Sequence, residues 1–326
     1  MPLVLAALDK FRGTASAVEA AAAVARAAEA CGWSCDQAPV ADGGEGILDA
    51  LGGAARTTVV RGPLGQAVEA EWRMREDGAV IEMARASGLL LAGGPEGNDA
   101  MRASTAGTGE LIAAAVTAGA RRIIVGMGGS ATTDGGLPCL TTLEPHARLR
   151  GVDLIVACDV TTRFVEAAEV FAPQKGASPA QVALLRRRLE RLAQVYRDDY
   201  GVDVEALVGS GAAGGLAGGL AAIGARLVPG FDLVAEAIEL AERVEQADLV
   251  VTGEGLLDEQ SFNGKAVGGV LGLAEDAGVP VLVIAGDTDL EGPADAVSLV
   301  ARFGDERARS DTLACIEEVV RERLRG

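Results

Sequence analysis

Histidine is nearly absent from this chain, and its few cysteines are not arranged as metal ligands. His146 is the only histidine among 326 residues, and the five cysteines include no CxxC pair. A soft-metal site needs several such ligands at short spacing, so the sequence argues against one. A His-based catalytic triad would have to use His146, whose Leu-Glu-Pro-His-Ala setting is typical of a surface loop. We expect His146 to be a bystander and the thiols to be buried and reduced.

Positive charge and long apolar runs are also scarce. Lys and Arg number 29 against 47 Asp and Glu, which gives a formal net charge of -18. This balance argues against nucleic acid and anionic membrane surfaces as partners, because both would be repelled. No apolar run approaches the roughly 18 residues of a membrane span, and the segment Met1 to Asp9 lacks a signal-peptide layout. We expect a soluble cytoplasmic protein, and the sequence leaves monomer and homodimer open.

The common nucleotide-binding signatures are missing or weak. No GxxxxGK[ST] loop occurs, which argues against a P-loop kinase. A GxGxxG occurs at Gly209, Gly211 and Gly214 without a clear strand before it, and a related GxGxxA begins at Gly126. Neither lies in a roughly 30-residue βαβ unit with a ribose-binding acid, so a nicotinamide cofactor is not favoured.

Glycine, by contrast, is abundant, and its 44 residues cluster between short apolar runs. Apolar runs that end in glycine turns and precede alanine-rich stretches predict buried parallel strands, each followed by a loop and a helix. The strands predicted in this way are 3–8, 122–126, 153–158, 248–252 and 279–285. Three further runs separated by turns, 57–61, 66–75 and 79–84, predict an antiparallel meander.

These patterns predict a doubly wound α/β domain made of both chain ends, with a second, mixed α/β domain inserted between them. We place the first domain at residues 1–60 and 235–326 and the second at residues 61–234. The segment 295–303 and a charged helix at 311–325 would close the first domain.

A strand that runs into a loop of small residues, 123–136, is the richest local signal. Gly128 and Gly129 let backbone N–H groups approach an anion closely, and Ser130 adds a hydroxyl donor. Asp134 supplies a carboxylate for a cation. The loop therefore predicts a cradle for phosphate and magnesium, with packing as the alternative reason for its glycines.

A second turn repeats this combination between residues 39 and 46. Asp42 and Glu45 flank Gly43 and Gly44, and paired hard oxygen ligands suit Mg²⁺, which binds few carboxylates and keeps water and phosphate oxygens as other ligands. Glu45 has an alternative role in the first turn of the following helix.

Charged side chains also follow other predicted strands, at the edge where α/β sheets bind ligands. Lys10 and Arg12 are candidate anion contacts after the first strand, with solvent-facing charges at a helix start as the alternative. Further candidates are Asp159 after 153–158, Gln174 and Lys175 in a loop, and Glu254, Asp258 and Lys265 after 248–252.

Eight ordered runs match the pattern of a known family: Asp9–Gly13, Ala41–Gly46, Ala103–Leu111, Gly126–Gly136, Ala157–Thr161, Phe171–Ala177, Gly211–Leu216 and Thr252–Lys265. In these runs the chain resembles the type-1 glycerate kinases, which transfer phosphate from ATP to glycerate. The resemblance implies a Rossmann-like domain with a second α/β domain inserted and the active site between them. It also implies ATP and a divalent cation as cofactors and 2-phosphoglycerate as the product.

The working hypothesis places the ATP phosphates over the glycine loops, on Gly43, Gly44, Gly128, Gly129 and Ser130. The Mg²⁺ ligands would come from the set Asp42, Asp134, Asp159 and Glu254. The glycerate carboxylate and the transferring phosphoryl group would contact Lys10, Arg12, Gln174, Lys175 and Lys265. Asp134 or Asp258 would orient the acceptor hydroxyl, since phosphoryl transfer needs mainly alignment and charge neutralisation.

The chain departs from the family pattern at two kinds of position. Lys10 and Arg12 stand where the family pattern has serine and lysine, and the loops after Gly136 and Thr161 are shortened. These departures keep open a kinase for another small sugar acid. A non-catalytic metabolite-binding relative is the alternative from a different class of protein.

Overall fold

Apolar strands and alanine-rich helices alternate along two units in this computed structural model, which describes residues 1–11, 13–262, 265–288 and 296–325. Unit 1 comprises Met1–Asp42, Asp49–Leu51 and Phe231–Gly326, and unit 2 comprises Gly43–Leu48 and Gly52–Gly230. The sequence placed the divisions at 60/61 and 234/235. In the structure, the strand at residues 54–61 pairs along its whole length with residues 67–74, so this hairpin falls in unit 2.

The elements are numbered in chain order. The described strands are β1 (Leu3–Leu8), β2 (Ser34–Gln37), β3 (Ala54–Arg61), β4 (Ala67–Met74), β5 (Ala79–Glu82), β6 (Arg122–Gly126), β7 (Asp153–Ala157), β8 (Arg226–Val228), β9 (Leu249–Leu257), β10 (Val281–Thr288) and β11 (Ala296–Ser298). The described helices are α1 (Ala17–Ala30), α2 (Ile47–Leu51), α3 (Ala84–Ser87), α4 (Gly94–Gly97), α5 (Ala106–Thr117), α6 (Leu137–Thr142), α7 (Ala167–Phe171), α8 (Pro179–Tyr200), α9 (Leu216–Ala222), α10 (Gly230–Ala237), α11 (Leu240–Glu245), α12 (Ala266–Ala277), α13 (Leu299–Phe303), α14 (Asp305–Ser310) and α15 (Thr312–Arg325).

Unit 1 is built on a parallel sheet with the order β11-β10-β9-β1-β2. Alternate residues of β1 belong to different clusters: Val4 and Leu8 pack in one, and Leu5 and Ala7 in another. Both faces of β1 are therefore covered, which explains why the strand is apolar throughout. This arrangement confirms the predicted doubly wound sheet.

Unit 2 contains a mixed sheet with the order β3-β4-β5-β6-β7-β8. The first three strands pair antiparallel, as the predicted meander required, and β5 through β8 pair in parallel. Because β4 is antiparallel to both of its neighbours, β3 runs in the same direction as β5 and β6. The carboxyl ends of β3, β5, β6 and β7 consequently lie at one edge of the sheet.

The predicted strands are all present, with boundaries that differ by a few residues, whereas β2 and β8 were not predicted. The predicted closing segment is observed as β11, α13 and α15, except that Asp295 lies outside the described residues. Cys139 and Cys315 are buried as expected, but the other three cysteines are only half-buried. Within the described ranges, no helix is long and apolar enough to cross a bilayer.

Candidate active site

Near the carboxyl edge of the unit 1 sheet, Asp9 directly follows β1 and Glu254 lies on the neighbouring strand β9. In the parallel pair of β1 and β9, Leu8 lies opposite Gly253, and Asp9 N donates a hydrogen bond to Gly253 O at 2.9 Å. A Cβ on Gly253 would lie 1.8 Å from Ile284 O, so this close strand approach requires glycine. Strand pairing thus places both carboxylates at the edge where α/β sheets bind ligands.

Asp9 is a buried carboxylate, only 4% exposed. Burial raises the pKa of Asp9 to about 6, with the Lys10 charge opposing the rise and the Asp42 charge adding to it. Lys10 Nζ lies 3.4 Å from Asp9 Oδ2 and 3.5 Å from Asp42 Oδ1, so one ammonium group compensates two carboxylates. The sequence candidates did not include Asp9, although it directly follows a predicted buried strand and precedes Lys10.

Glu254 adds a further carboxylate to this cluster. Burial raises its pKa, while a hydrogen bond from Ser261 and the charge of Lys265 oppose the rise, and Asp42 and Asp258 raise it further. Its buried Oε1 has no hydrogen-bond partner within the described ranges. Asp258 Oδ1 in turn accepts hydrogen bonds from Ser261 N at 3.0 Å and from Ser261 Oγ at 3.3 Å. Three chain segments therefore contribute to one cluster in unit 1.

The structure brings five predicted residues into this cluster: Lys10, Asp42, Glu254, Asp258 and Lys265. Lys265 directly precedes α12. Arg12, another predicted anion contact, lies outside the described residues. Nowhere in the described ranges do three or more His, Cys, Asp or Glu side chains form a group arranged to hold a metal ion. A cation here would need ligand atoms from its substrates as well.

The glycines of the two predicted phosphate loops pack backbone against backbone in unit 2. A Cβ on Gly128 would lie 2.7 Å from Gly44 Cα, and a Cβ on Gly43 would lie 2.6 Å from Gly230 Cα. Gly129 has a φ of +67°, in the left-handed region that favours glycine. Packing alone is thus a sufficient reason for these glycines, and it holds the two loops together.

Asp134 lies in a polar network of unit 2. Its Oδ2 accepts hydrogen bonds from Thr105 N at 2.7 Å and Thr105 Oγ1 at 2.9 Å, and its Oδ1 accepts one from Gly136 N at 3.0 Å. Burial raises the pKa of Asp134, and these hydrogen bonds oppose the rise. The network fixes the loop after β6 to the start of α5.

Lys175 belongs to the same surroundings as Asp134. It is only 4% exposed, and its Nζ donates to Thr132 O at 2.6 Å. Burial lowers the pKa of Lys175 to about 7, and the Asp134 charge counteracts part of that shift. Two predicted site residues, Asp134 and Lys175, are therefore brought together in unit 2.

The other predicted residues of unit 2 have separate surroundings. Ser130 Oγ lies 3.0 Å from Thr132 Oγ1, within hydrogen-bond distance. Asp159 Oδ1 accepts a hydrogen bond from Gly230 N at 2.7 Å. Gln174 is exposed.

Glu82 is a buried carboxylate that sequence reasoning missed. It is 2% exposed, and its carboxylate accepts hydrogen bonds from Gly46 N at 2.8 Å and from Arg85 Nε at 2.9 Å. It therefore fixes the backbone that follows Gly43 and Gly44. The sequence signal that could have identified Glu82 is a carboxylate at the end of the apolar run Ala79-Val-Ile-Glu.

Comparisons with known proteins point to one family. The model of the Glycerate kinase family matches residues 4–146 and 141–304. A glycerate kinase from Halalkalibacterium halodurans is 38% identical over 326 aligned residues, which cover 88% of this chain and 86% of that protein. The glycerate 2-kinase of Escherichia coli is 40% identical over 286 residues, which cover 76% of this chain and 75% of that protein.

A solved structure is similar along the whole chain. This crystal structure is of a protein described as glycerate kinase 2 from Salmonella typhimurium LT2. The TM-score is 0.82 and the sequence identity is 31%, and the match covers 100% of this chain and 98% of that one. Family model, curated relatives and fold thus agree with the resemblance carried by the eight sequence runs. The chain belongs to the glycerate kinase family and is an enzyme of its phosphotransferase class.

Proposed function

We propose that the enzyme transfers the terminal phosphoryl group of ATP to a hydroxyl of glycerate, with Mg²⁺ as cofactor and 2-phosphoglycerate as product. The observation that carries the proposal is the cluster of Asp9, Lys10, Asp42 and Glu254 at the carboxyl edge of the unit 1 sheet. Phosphoryl transfer needs aligned reactants and compensated charge, and this cluster offers carboxylates and ammonium groups together. The product assignment is supported by the name of the Escherichia coli relative, glycerate 2-kinase.

Asp42 and Glu254 fit a magnesium ion by the chemistry of their donors. Mg²⁺ prefers hard oxygen ligands and is commonly held by one or two carboxylates together with phosphate oxygens and water. The buried Oε1 of Glu254 has no hydrogen-bond partner among the described residues, as expected of an atom reserved for a ligand. In this proposal Asp42 and Glu254 hold the ion, which, when bound, neutralises phosphate charge. Asp134 and Asp159 then act through their hydrogen bonds to the loops of unit 2.

Lys10 and Lys265 supply the positive charge that an acidic protein needs around an anionic substrate. Lys10 is held between Asp9 and Asp42, which fixes the position of its ammonium group. Lys265 stands at the N-terminal end of α12, where the helix dipole adds to its charge. Both lysines stabilise negative charge on the transferring phosphoryl group.

Asp9 is the best-placed base for the acceptor hydroxyl. A base works best when its pKa lies near the working pH, and burial raises the pKa of Asp9 to about 6. Like the earlier candidates Asp258 and Asp134, Asp9 accepts several hydrogen bonds, from Lys10 N at 2.7 Å and from Lys10 Nζ at 3.4 Å, so the choice of Asp9 rests on its raised pKa and its place in the cluster. Asp9 accepts the hydroxyl proton as the oxygen attacks phosphorus, and ADP leaves.

The test is to incubate the purified enzyme with MgATP and a panel of hydroxy-acids and to measure ADP formation. We expect glycerate-dependent ADP and a phosphorus NMR signal for 2-phosphoglycerate. A strong preference for another sugar acid would replace glycerate as the substrate. An absence of acid-dependent ADP with every member would remove the kinase proposal and leave a metabolite-binding protein.

A further inference from the structure

The run Ala103–Leu111 matches the family pattern and contributes no residue to the unit 1 cluster, and a cavity lies beside it in unit 2. The cavity has a volume of about 290 Å³. Its walls include Arg61 and Arg102, the polar side chains of Ser104 and Asp99, and the apolar side chain of Leu64. This volume is near the lower end of the range for small-molecule sites, and it suits a molecule of a few heavy atoms.

The cavity lies at the ligand-binding edge of the unit 2 sheet. Arg61 is the last residue of β3, which runs in the same direction as β5 and β6. The lining also includes Ala106, where α5 begins. Thr105, next to Ala106, donates two hydrogen bonds to Asp134 in the loop after β6. The cavity therefore adjoins the same edge as the glycine loop.

Arg102 gives this cavity its chemical preference. Its guanidinium is exposed and forms no ion pair within the part of the chain that the structure describes. A guanidinium binds a carboxylate through two parallel N–H···O hydrogen bonds, a geometry that an ammonium group cannot reproduce. An unpaired arginine on a cavity wall, in a chain with a net charge of -18, indicates an anionic ligand.

Other side chains on the cavity wall are held by hydrogen bonds within unit 2. Arg61 Nε donates to Glu110 Oε1 at 2.6 Å, which holds the Arg61 guanidinium in place. Ser104 Oγ accepts a hydrogen bond from Ala106 N at 3.2 Å, so its hydroxyl hydrogen can be donated to a ligand. Asp99 is the opposing charge on the wall, and its Oδ1 accepts a hydrogen bond from Met101 N at 3.0 Å.

We propose that this cavity binds the carboxylate of a small hydroxy-acid, with Arg102 as its paired donor and Arg61 and Ser104 as additional donors. The choice of a hydroxy-acid as the ligand rests on the proposed function. The anionic preference rests on the cavity alone.

The proposal is tested by calorimetric titration of glycerate into the full-length protein without ATP. We expect Arg102→Gln to weaken glycerate binding by about 10-fold or more, as for lost charge-assisted hydrogen bonds. Arg187→Gln is the matched control, since Arg187 is an exposed arginine on α8, and it should bind as the wild type does. Asp99→Asn should tighten binding, and Arg102→Lys should lie between wild type and Arg102→Gln.

Two further probes separate the possible outcomes. Glycerol, which has the hydroxyls but no carboxylate, should not bind. Glycerate binding that is equal in wild type and Arg102→Gln would overturn the proposal. The proposal would also be overturned if the binding of inorganic phosphate depended on Arg102 and the binding of glycerate did not.

The same variants distinguish this proposal from the proposed function. Wild-type protein that binds glycerate through Arg102 but forms no ADP would leave the cavity assignment standing and remove the kinase mechanism. Normal glycerate-dependent turnover of the wild type, together with calorimetric glycerate binding that is unchanged in Arg102→Gln, would do the reverse.

Discussion

Asp9 follows a strand whose last five residues are buried and is itself 4% exposed, so its charged form lacks most of its hydration. The folded pKa of about 6 lies above the usual value of 3.8. Between these values the folded state binds more protons than the unfolded state, so the free energy of unfolding decreases as pH rises from about 4 to about 6. The ionised base therefore costs stability at neutral pH.

The Asp9→Asn variant separates the stability cost of the ionised carboxylate from its catalytic function. We expect kcat/KM to fall by about 100-fold or more. The free energy of unfolding at pH 7 should rise by about 1 to 3 kcal/mol, because an amide carries no charge to desolvate. Urea unfolding at several pH values should show this gain shrinking toward pH 4. In the wild type, kcat/KM should fall as pH drops through about 6.

Asp276→Asn is the control, because Asp276 is exposed on α12 and should change neither quantity. An Asp9→Asn enzyme with wild-type turnover would remove Asp9 from the mechanism.

Lys175 shows the opposite sign of pH dependence. Its folded pKa of about 7 lies below the usual 10.5, so above about pH 7 the unfolded state binds more protons and stability increases with pH. We expect the free energy of unfolding of the wild type to rise relative to Lys175→Met between pH 7 and 8.5, by up to about 1.4 kcal/mol per pH unit. Unfolding in guanidinium chloride at several pH values measures, for each protein, the slope of the free energy of unfolding against pH. Parallel slopes would contradict the assignment, and Arg187→Met should keep the wild-type slope.

Among whole elements, strands with strongly apolar sequences could be predicted and polar edge strands could not. β1 and β6 have the predicted boundaries, since burial on both faces demands an uninterrupted apolar run. β2 reads Ser-Cys-Asp-Gln and β8 has three residues, and each pairs at the edge of its sheet. Such strands exist because a neighbouring strand offers hydrogen bonds, which no local pattern reveals.

The candidate site divides in a similar way. Residue type and position after a strand were enough to select Lys10, Asp42, Glu254 and Lys265, which the structure brings into one cluster. The burial of Asp9 and Glu82 depends on strands and helices far away in sequence. Local sequence therefore indicated which chemistry was available, and only the fold indicated which carboxylates are desolvated.

Gly128→Ala tests the packing of the two glycine loops. The added Cβ would lie 2.7 Å from Gly44 Cα and 2.8 Å from Glu45 N, so the backbone must shift. We expect a loss of about 1 to 3 kcal/mol in thermal or urea unfolding, as for other overpacked sites. Gly272→Ala is the matched control, because nothing lies within 4 Å of its added Cβ inside α12. That variant should gain about 0.5 to 1 kcal/mol, and equal losses in both would contradict the packing explanation.

At the scale of the whole molecule, the two units differ in how the chain forms them. The main core cluster of unit 2 draws on residues between Val60 and Ala225 alone, whereas unit 1 takes strands from both chain ends. We expect a fragment of residues 43–230 to fold by itself, with far-ultraviolet circular dichroism typical of mixed α/β structure and a cooperative thermal transition. A fragment that shows neither would mean that its core depends on unit 1. Residues 231–326 alone are the control and should not fold, since they lack β1 and β2.

The position of β1 has a consequence for protein synthesis. β1 lies inside the unit 1 sheet, yet its partner β9 is joined to it by a hydrogen bond that spans 245 residues of sequence. β1 must therefore wait for this partner until about 245 further residues have been made, and only the edge strand β2 can pair with it earlier. Unit 2 can finish folding during that interval. Nascent chains that end before β9 are thus the species most in need of a chaperone.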